Sequence, residues 1–181
     1  NTWYHVALTY DMATTTMKLY KNGVLVATNA GVPPFIGGNA LRLGCFDPLQ
    51  NLLGGKMDEV RIWNRVLPQC EIQNNMNGEL PSGQVGLVAY YKCNQGIALA
   101  NNTAITTLTD SSGNGNTGTL TNFALTGATS NWITPGGVVT GTMSPAPLSV
   151  SSPQVLCSGS TVANLTATGT TIKWYNVATG G

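Results

Sequence analysis

The sequence predicts an all-β fold, an antiparallel β-sandwich with one short helix, and three observations carry that expectation. Short apolar runs alternate with polar residues along most of the chain. The 22 glycines and 9 prolines fall mostly between those runs, where a positive φ or a missing N–H interrupts a strand least. An Asn22-Gly23 pair separates two of the runs and suits both central positions of a type I′ hairpin turn. With 42% hydrophobic and 8% charged residues among 181, the chain has enough apolar surface to offset its conformational entropy, so its composition is not that of a disordered protein.

The elements follow in chain order. Trp3 to Tyr10 begins apolar and alternates from His5 onward, which places Val6, Leu8 and Tyr10 on one face of a half-buried strand. Asp11 to Thr15 supplies turn residues, and Met17–Lys21 and Val24–Ala27 flank the Asn22-Gly23 turn. Gly31 to Asn39, with Pro33-Pro34 and Gly37-Gly38, reads as loop, Ala40 to Phe46 as a strand, and a second loop runs through Gly54-Gly55. In the next strand, Gly55 to Arg65, Val60 and Ile62 are expected to face the core and Glu59 and Arg61 the solvent. Asp58 shares the parity of Val60 and is expected to point inward, where a carboxylate needs hydrogen bonds, a cation or a metal.

Leu67 to Met76 has apolar or small residues at 67, 72 and 76 and a Pro68 suited to a helix start; it reads as the short helix, ended at Asn77-Gly78. Val85 to Lys92 is a strongly apolar strand. Asp110 to Gly118 is a turn sequence bracketed by Ile105–Leu108 and Thr119–Leu120. Gly136 to Pro153 shifts to Gly, Thr, Ser and Pro and reads as a linker. Val155–Leu165 and Thr171–Tyr175 then read as strands anchored by Trp174. Two strands cannot bury a core of their own, so residues 154–181 are expected to begin a second domain after a first over 1–135 and a linker over 136–153.

A net charge of +1 gives no field suited to phosphate or an anionic membrane, and nucleic acid is not an expected partner. No apolar run approaches the length that spans a bilayer. The segment at Asn1-Thr2-Trp3 lacks the regions of a signal peptide, so the chain either carries no export signal or is an excerpt of something longer. Cys45, Cys70, Cys93 and Cys157 show no metal-ligand spacing and His5 is the sole histidine, which argues against zinc. One pair and one free thiol are expected among the first three cysteines, with no basis for choosing; Cys157 lies in a different segment, and its partner is expected outside this chain. Low charge and the Asn-x-Thr sequences at Asn101 and Asn164 suit an exported protein.

Trp3-Tyr4-His5-Val6-Ala7, the hairpin from Leu19 to Leu25, the strand Gly55 to Arg65 and the helix Leu67 to Ile72 occur in a specific order. Together they resemble the laminin-G-like, concanavalin A-like jelly roll, in particular its bacterial, pentraxin-related branch. Gly86 to Lys92 with Asp110 to Leu120 looks like a further strand and loop of the same bacterial type. The resemblance implies that a full jelly roll has strands before Trp3 and that residues 1–135 are the C-terminal part of the domain. Val155 to Gly181 is similar to the first strands of an immunoglobulin-like repeat, with Cys157 and Trp174 resembling its B-strand cysteine and C-strand tryptophan. It further implies a secreted or cell-surface location, other domains of the same polypeptide as partners, and a binding or adhesion role toward a glycan or glycoprotein. A purely structural spacer and an ancillary module of a secreted glycoside hydrolase or protease are the alternatives.

Glycan hydrolysis on such a fold needs paired carboxylates on one face. The acidic residues are Asp11, Asp47, Asp58, Glu59, Glu71, Glu79 and Asp110, and the adjacent pair Asp58-Glu59 points to opposite faces by strand parity. No catalytic residue is therefore assigned, and His5 is read as a packed histidine. Asp110, Asn114 and Asn116 are the candidate ligands for Ca²⁺, because a carboxylate, amide oxygens and exposed carbonyls in a glycine-rich turn are hard donors; Thr117 stands where similar sequences often carry an aspartate. Tyr10, Tyr20, Trp63, Tyr90, Tyr91 and Trp132 could stack on sugars, but core packing is the default for each, and no sugar site is assigned.

Overall fold

Alternation and turn chemistry produce a three-stranded antiparallel sheet of β1 (Val6–Asp11), β2 (Thr16–Lys21) and β3 (Val24–Asn29), in that order. The computed structural model describes residues 2–34, 41–45, 51–81 and 83–138. The chain divides into two units, Asn1–Thr142 and Met143–Gly181, and every described residue lies in the first. The linker beyond Val138, the strands expected at Val155–Leu165 and Thr171–Tyr175, and Cys157, Asn164 and Trp174 fall outside the described residues.

Asn22 and Gly23 take φ of 50° and 73°, the double positive φ of the expected turn. Asn22 also closes the mouth of β1: its N–H donates to the His5 carbonyl at 2.8 Å and its Oδ1 accepts the His5 N–H at 2.9 Å. Gly23 is buried against the helix α1 (Gln69–Asn75). Gln69 and Gln73 both donate their side-chain amides to the Gly23 carbonyl, at 2.9 and 3.0 Å. A Cβ on Gly23 would lie 2.6 Å from Cγ of Gln73, so glycine is required for contact as well as for φ.

β4 (Val60–Trp63) and β5 (Leu87–Tyr91) form an antiparallel ribbon, and β6 (Thr107–Leu108) pairs with β7 (Gly118–Thr119). Among the described residues the architecture is thus antiparallel strands with one short helix, consistent with an all-β sandwich. The buried cluster of Leu80, Leu87 and Tyr90, with Trp63 packed against it, lies on the β4–β5 ribbon, and Ile72 buries the inner side of α1. The helix runs from an N-cap at Pro68 to a C-cap at Met76, slightly shorter than the pattern predicts.

Several expectations are corrected. Residues 41–45, the described part of the expected strand Ala40–Phe46, form no strand: Gly44 takes a φ of 82° and its carbonyl accepts the Leu53 N–H in a turn-like closure. Cys45 and Cys93 are free thiols and Cys70 is disulfide-bonded, so no pair forms among the first three cysteines. Val6, Leu8 and Tyr10 do share a face, but it is the opposite face, with Thr9 and Tyr20, that is buried.

The largest correction concerns Glu59 and Arg61, expected in solvent. Both side chains are 9% exposed. Regular strand pairing begins only at Val60, because Glu59 has a φ of 53°. Arg61 stands opposite Tyr90 in the ribbon, on the side where Tyr90 is buried at 1% exposure. A guanidinium can occupy that side because carbonyls and a carboxylate meet it there.

Candidate functional site

Three polar constellations occur among the described residues. The first surrounds Arg61. Its guanidinium donates to Glu59 Oε2 at 2.5 Å, to the Asn75 carbonyl at 2.6 Å, and to the Gly78 carbonyl. It thereby binds orphan carbonyls at the end of α1, which favour a cation. The Tyr90 hydroxyl donates to Glu59 Oε2 at 2.5 Å and accepts the Leu80 N–H at 3.1 Å. Burial raises the Glu59 carboxyl above its ordinary value against the opposing pull of Tyr90 and Arg61. Burial, then the Glu59 bond, pushes the Tyr90 hydroxyl far up. Next to this cluster Glu79 accepts from Lys92 at 2.9 Å and from the Asn94 amide at 2.9 Å. Burial and the Asp58 and Glu59 charges push the Cys93 thiol up to about 12, so it is not a thiolate nucleophile at neutral pH.

The second constellation is the loop carrying the candidate calcium ligands, which the structure brings together. Asp110 Oδ1 accepts the Tyr90 and Ser112 N–H groups, each at 2.9 Å. Its Oδ2 accepts the Ser112 hydroxyl and the Asn116 N–H, each at 2.8 Å. The Asn114 amide donates to the Leu87 and Val88 carbonyls, and that of Asn116 to Val88 at 2.9 Å. Ser111 N–H donates to the Tyr90 carbonyl at 2.7 Å.

These partners define what the loop does. β5 pairs with β4 along one edge, and the loop meets Val88 and Tyr90 along the other. Side chains thus take the place of a neighbouring strand, covering an edge that would otherwise present unpaired groups. Burial opposes ionisation of Asp110, yet its backbone and hydroxyl donors together hold the carboxyl below its ordinary value. Both oxygens of the carboxylate that calcium requires already accept two hydrogen bonds each, so a cation there would have to displace the donors that fix the loop. The residues therefore fit an edge cover better than a calcium cage. Among the described residues no group of three or more His, Cys, Asp or Glu side chains could hold a metal ion.

The third constellation joins distant parts of the chain. Asp58 is half-buried, with Oδ1 accepting the Glu59 N–H at 3.1 Å and Oδ2 the Gly137 N–H at 2.6 Å. It is satisfied by backbone, one of the solutions its parity demanded. Gly137 also lies against the Trp3 ring, 3.1 Å from where its Cβ would be. His5 is half-buried; burial, then the Arg61 charge, lowers its pKa, and its Nδ1 has no hydrogen-bond partner among the described residues. It is packed in the fold, with its backbone rather than its ring bonded to Asn22.

Of the aromatics considered for stacking, Tyr20, Tyr90 and Tyr91 are buried. Tyr10 is half-buried and donates to the Val32 carbonyl at 2.9 Å, Trp63 packs on the core, and Trp132 lies on Gly96 so closely that a Cβ there would be 1.9 Å from the indole. The open rings are others: Tyr4 at 54%, Phe123 at 51% and Trp3 at 37% exposure. Lys21 Nζ sits 4.2 Å from the Tyr4 ring centroid. Only their position ahead of the alternation starting at His5 distinguishes Trp3 and Tyr4 in the sequence.

A solved structure, a candidate carbohydrate binding protein from Bacteroides ovatus, is similar with a TM-score of 0.53 and 31% identity, covering 67% of this chain and 35% of that one. The present chain thus spans about a third of that protein's length. No curated protein matches. Residues 1–73 match the laminin-G family model described as the concanavalin A-like lectin/glucanases superfamily, and over that stretch the resemblance read from Trp3–Ala7, the Asn22-Gly23 hairpin and the strand before the helix is upheld.

Proposed function

We propose that this chain is a non-catalytic, glycan-binding module of a larger exported bacterial surface protein. The observation that carries the reading is the likeness, at 31% identity, to a candidate carbohydrate binding protein. The family match over residues 1–73 covers lectins and glucanases alike, and the state of the carboxylates favours the lectin side. Each described carboxylate is engaged by its own fold: Asp11 by Ala13 and Thr14 in a turn, Asp58 by Gly137, Glu59 by Arg61 and Tyr90. Glu71 is gripped at both oxygens by Arg65, Glu79 by Lys92 and Asn94, and Asp110 by four donors. An acid and base pair flanking a glycosidic bond needs two carboxyls free to face substrate, and these six are committed elsewhere.

A sugar would use open rings and nearby polar groups. Tyr4, with Lys21 over its ring, and Trp3 meet that description best among the described residues. The exported, multi-domain setting and the second domain over 154–181 belong to this reading and rest on the sequence pattern. Glycan-array screening followed by calorimetry tests the function. A glycan bound by the wild-type chain and lost in Tyr4→Ala, with no change in melting temperature, supports it. The absence of any glycan bound at millimolar concentration sinks it and leaves the structural spacer.

A further inference from the structure

The side chain of Glu79 is 4% exposed, and its carboxylate holds two groups that can react with each other. The Lys92 amine donates to Oε2 at 2.9 Å and the Asn94 carboxamide to Oε1 at 2.9 Å. Two oxygens on one carbon thus keep a nucleophile and an acyl carbon side by side, through a carboxyl able to carry protons for both. The surroundings favour neutral forms. Glu79 adjoins Leu80 of the buried cluster, and the Tyr90 ring centroid is 5.6 Å from Lys92 Nζ, so the site penalises an ion pair relative to an amine and a carboxylic acid. Asn94 reaches the surface, which gives a small leaving group an exit. The backbone is arranged for the same convergence. β5 ends at Tyr91, and Cys93 takes a φ of 53°, an uncommon conformation for a residue with a Cβ that persists where its surroundings hold it. The side chains on either side of it meet at Glu79.

We propose that Lys92 and Asn94 are a self-modification site, joined by an intramolecular amide bond whose formation Glu79 promotes as proton carrier. Proton transfer from Lys92 Nζ to Glu79 Oε2, along their hydrogen bond, leaves a free amine and a carboxylic acid. Rotation of the Asn94 amide about its Cβ–Cγ bond presents Oδ1 to the acid's O–H, which polarises the carbonyl. Nζ then attacks Cγ, as lysine amines attack other carbonyl carbons. When the tetrahedral carbon collapses, the new Nζ–Cγ bond stays and the Cγ–Nδ2 bond breaks, while the proton shed by Nζ passes through Glu79 to Nδ2. Ammonium leaves and Glu79 is again a carboxylate. The exchange of one amide for another needs no oxidant, reductant or cofactor. The product closes a ring through Cys93 and fixes the positive φ there, where the chain turns away from β5. These residues are separate from Trp3 and Tyr4, so the proposal is independent of the glycan reading.

The test is the intact mass of the purified, reduced 181-residue chain after incubation at neutral pH. The expected mass is that of the sequence less one ammonia. After denaturation trypsin should fail to cut after Lys92, which no longer carries a free ammonium, and tandem mass spectrometry should join Lys92 to Asn94. Lys92→Arg keeps a cation for Glu79 without a competent nucleophile and should restore the full mass, as should Glu79→Gln. The wild-type readout needs no variant, so a substitution that fails to fold does not shield the proposal. A wild-type chain at the full mass of its sequence overturns it. An ammonia loss with Lys92 still cut marks a succinimide at an asparagine and overturns it too, as does a loss that persists in Lys92→Arg.

Discussion

Replacing Asp110 by alanine tests whether the loop 110–116 holds the fold by covering the edge of β5. The substitution removes four hydrogen bonds to a carboxylate. The Tyr90 N–H belongs to a residue 1% exposed and has no ready route to water, while the donors of Ser112 and Asn116 lie nearer the surface. Counting the first at about 2 kcal/mol and each of the others at about 0.5 kcal/mol gives a loss of about 3–4 kcal/mol. With a urea dependence of about 2 kcal/mol per molar for a unit of this size, the unfolding midpoint should fall by about 1.5–2 M. Asp110→Asn, which keeps an acceptor for Tyr90 but turns an amide toward the Asn116 N–H, should fall by about half as much. The carboxyl is held below its ordinary value, so the wild-type advantage should be complete above about pH 4 and shrink as pH falls through the lower folded value. Urea melts monitored by tryptophan fluorescence supply the measurement, run with calcium and with chelator. A midpoint shift below about 0.3 M, or a wild-type midpoint that rises with calcium, would refute the edge-cover account.

Arg61→Met should be among the most damaging substitutions in the described residues, because it strips the Asn75 and Gly78 carbonyls and leaves Glu59 buried without its cation. A loss of about 3–5 kcal/mol is expected, and the double variant with Glu59→Gln should recover part of it in the same melts. His5 should make stability acid-sensitive in a defined window. Its folded pKa is lowered by burial and Arg61, so below about pH 6.5 the unfolded chain takes up a proton that the folded one resists, and stability falls as pH falls toward the folded value. Glu59, whose carboxyl is raised, contributes with the opposite sign at lower pH. The melting temperature of wild type minus that of His5→Phe, followed from pH 7.5 down to about 5, isolates the histidine; a flat difference would contradict the burial of its ring.

The parts of this molecule that the sequence discloses are those governed by local rules. Asn22-Gly23 specifies its turn because few other pairs tolerate positive φ twice, and Gln69–Asn75 is announced by Pro68 and the spacing of Ile72. Strand parity is equally legible: Val6 and Leu8 share a face as alternation says they must. Which face is covered is a property of the neighbouring layer, not of the strand, and there the pattern misleads. Glu59 and Arg61 fail for a related reason. Charged residues in a strand are read as solvent-facing, and nothing local reveals that Asn75, Gly78 and Tyr90 will offer acceptors and a donor from 14 to 31 residues away. The Asp110 loop shows the converse: its composition suits either a cation or a backbone edge, and only the positions of Val88 and Tyr90 decide between them.

The contact of Gly137 with Asp58 and Trp3 has a mechanical consequence. A pull that draws the segment ahead of Trp3 away from the segment after Gly137 does not first shear the ladders of the β1–β2–β3 sheet. It loads one short bond, Asp58 Oδ2 to the Gly137 N–H, and the indole resting on that glycine. That single carboxylate clasp therefore ties the segment at Trp3 to the segment at Gly137, and opening it frees one from the other before any strand unzips.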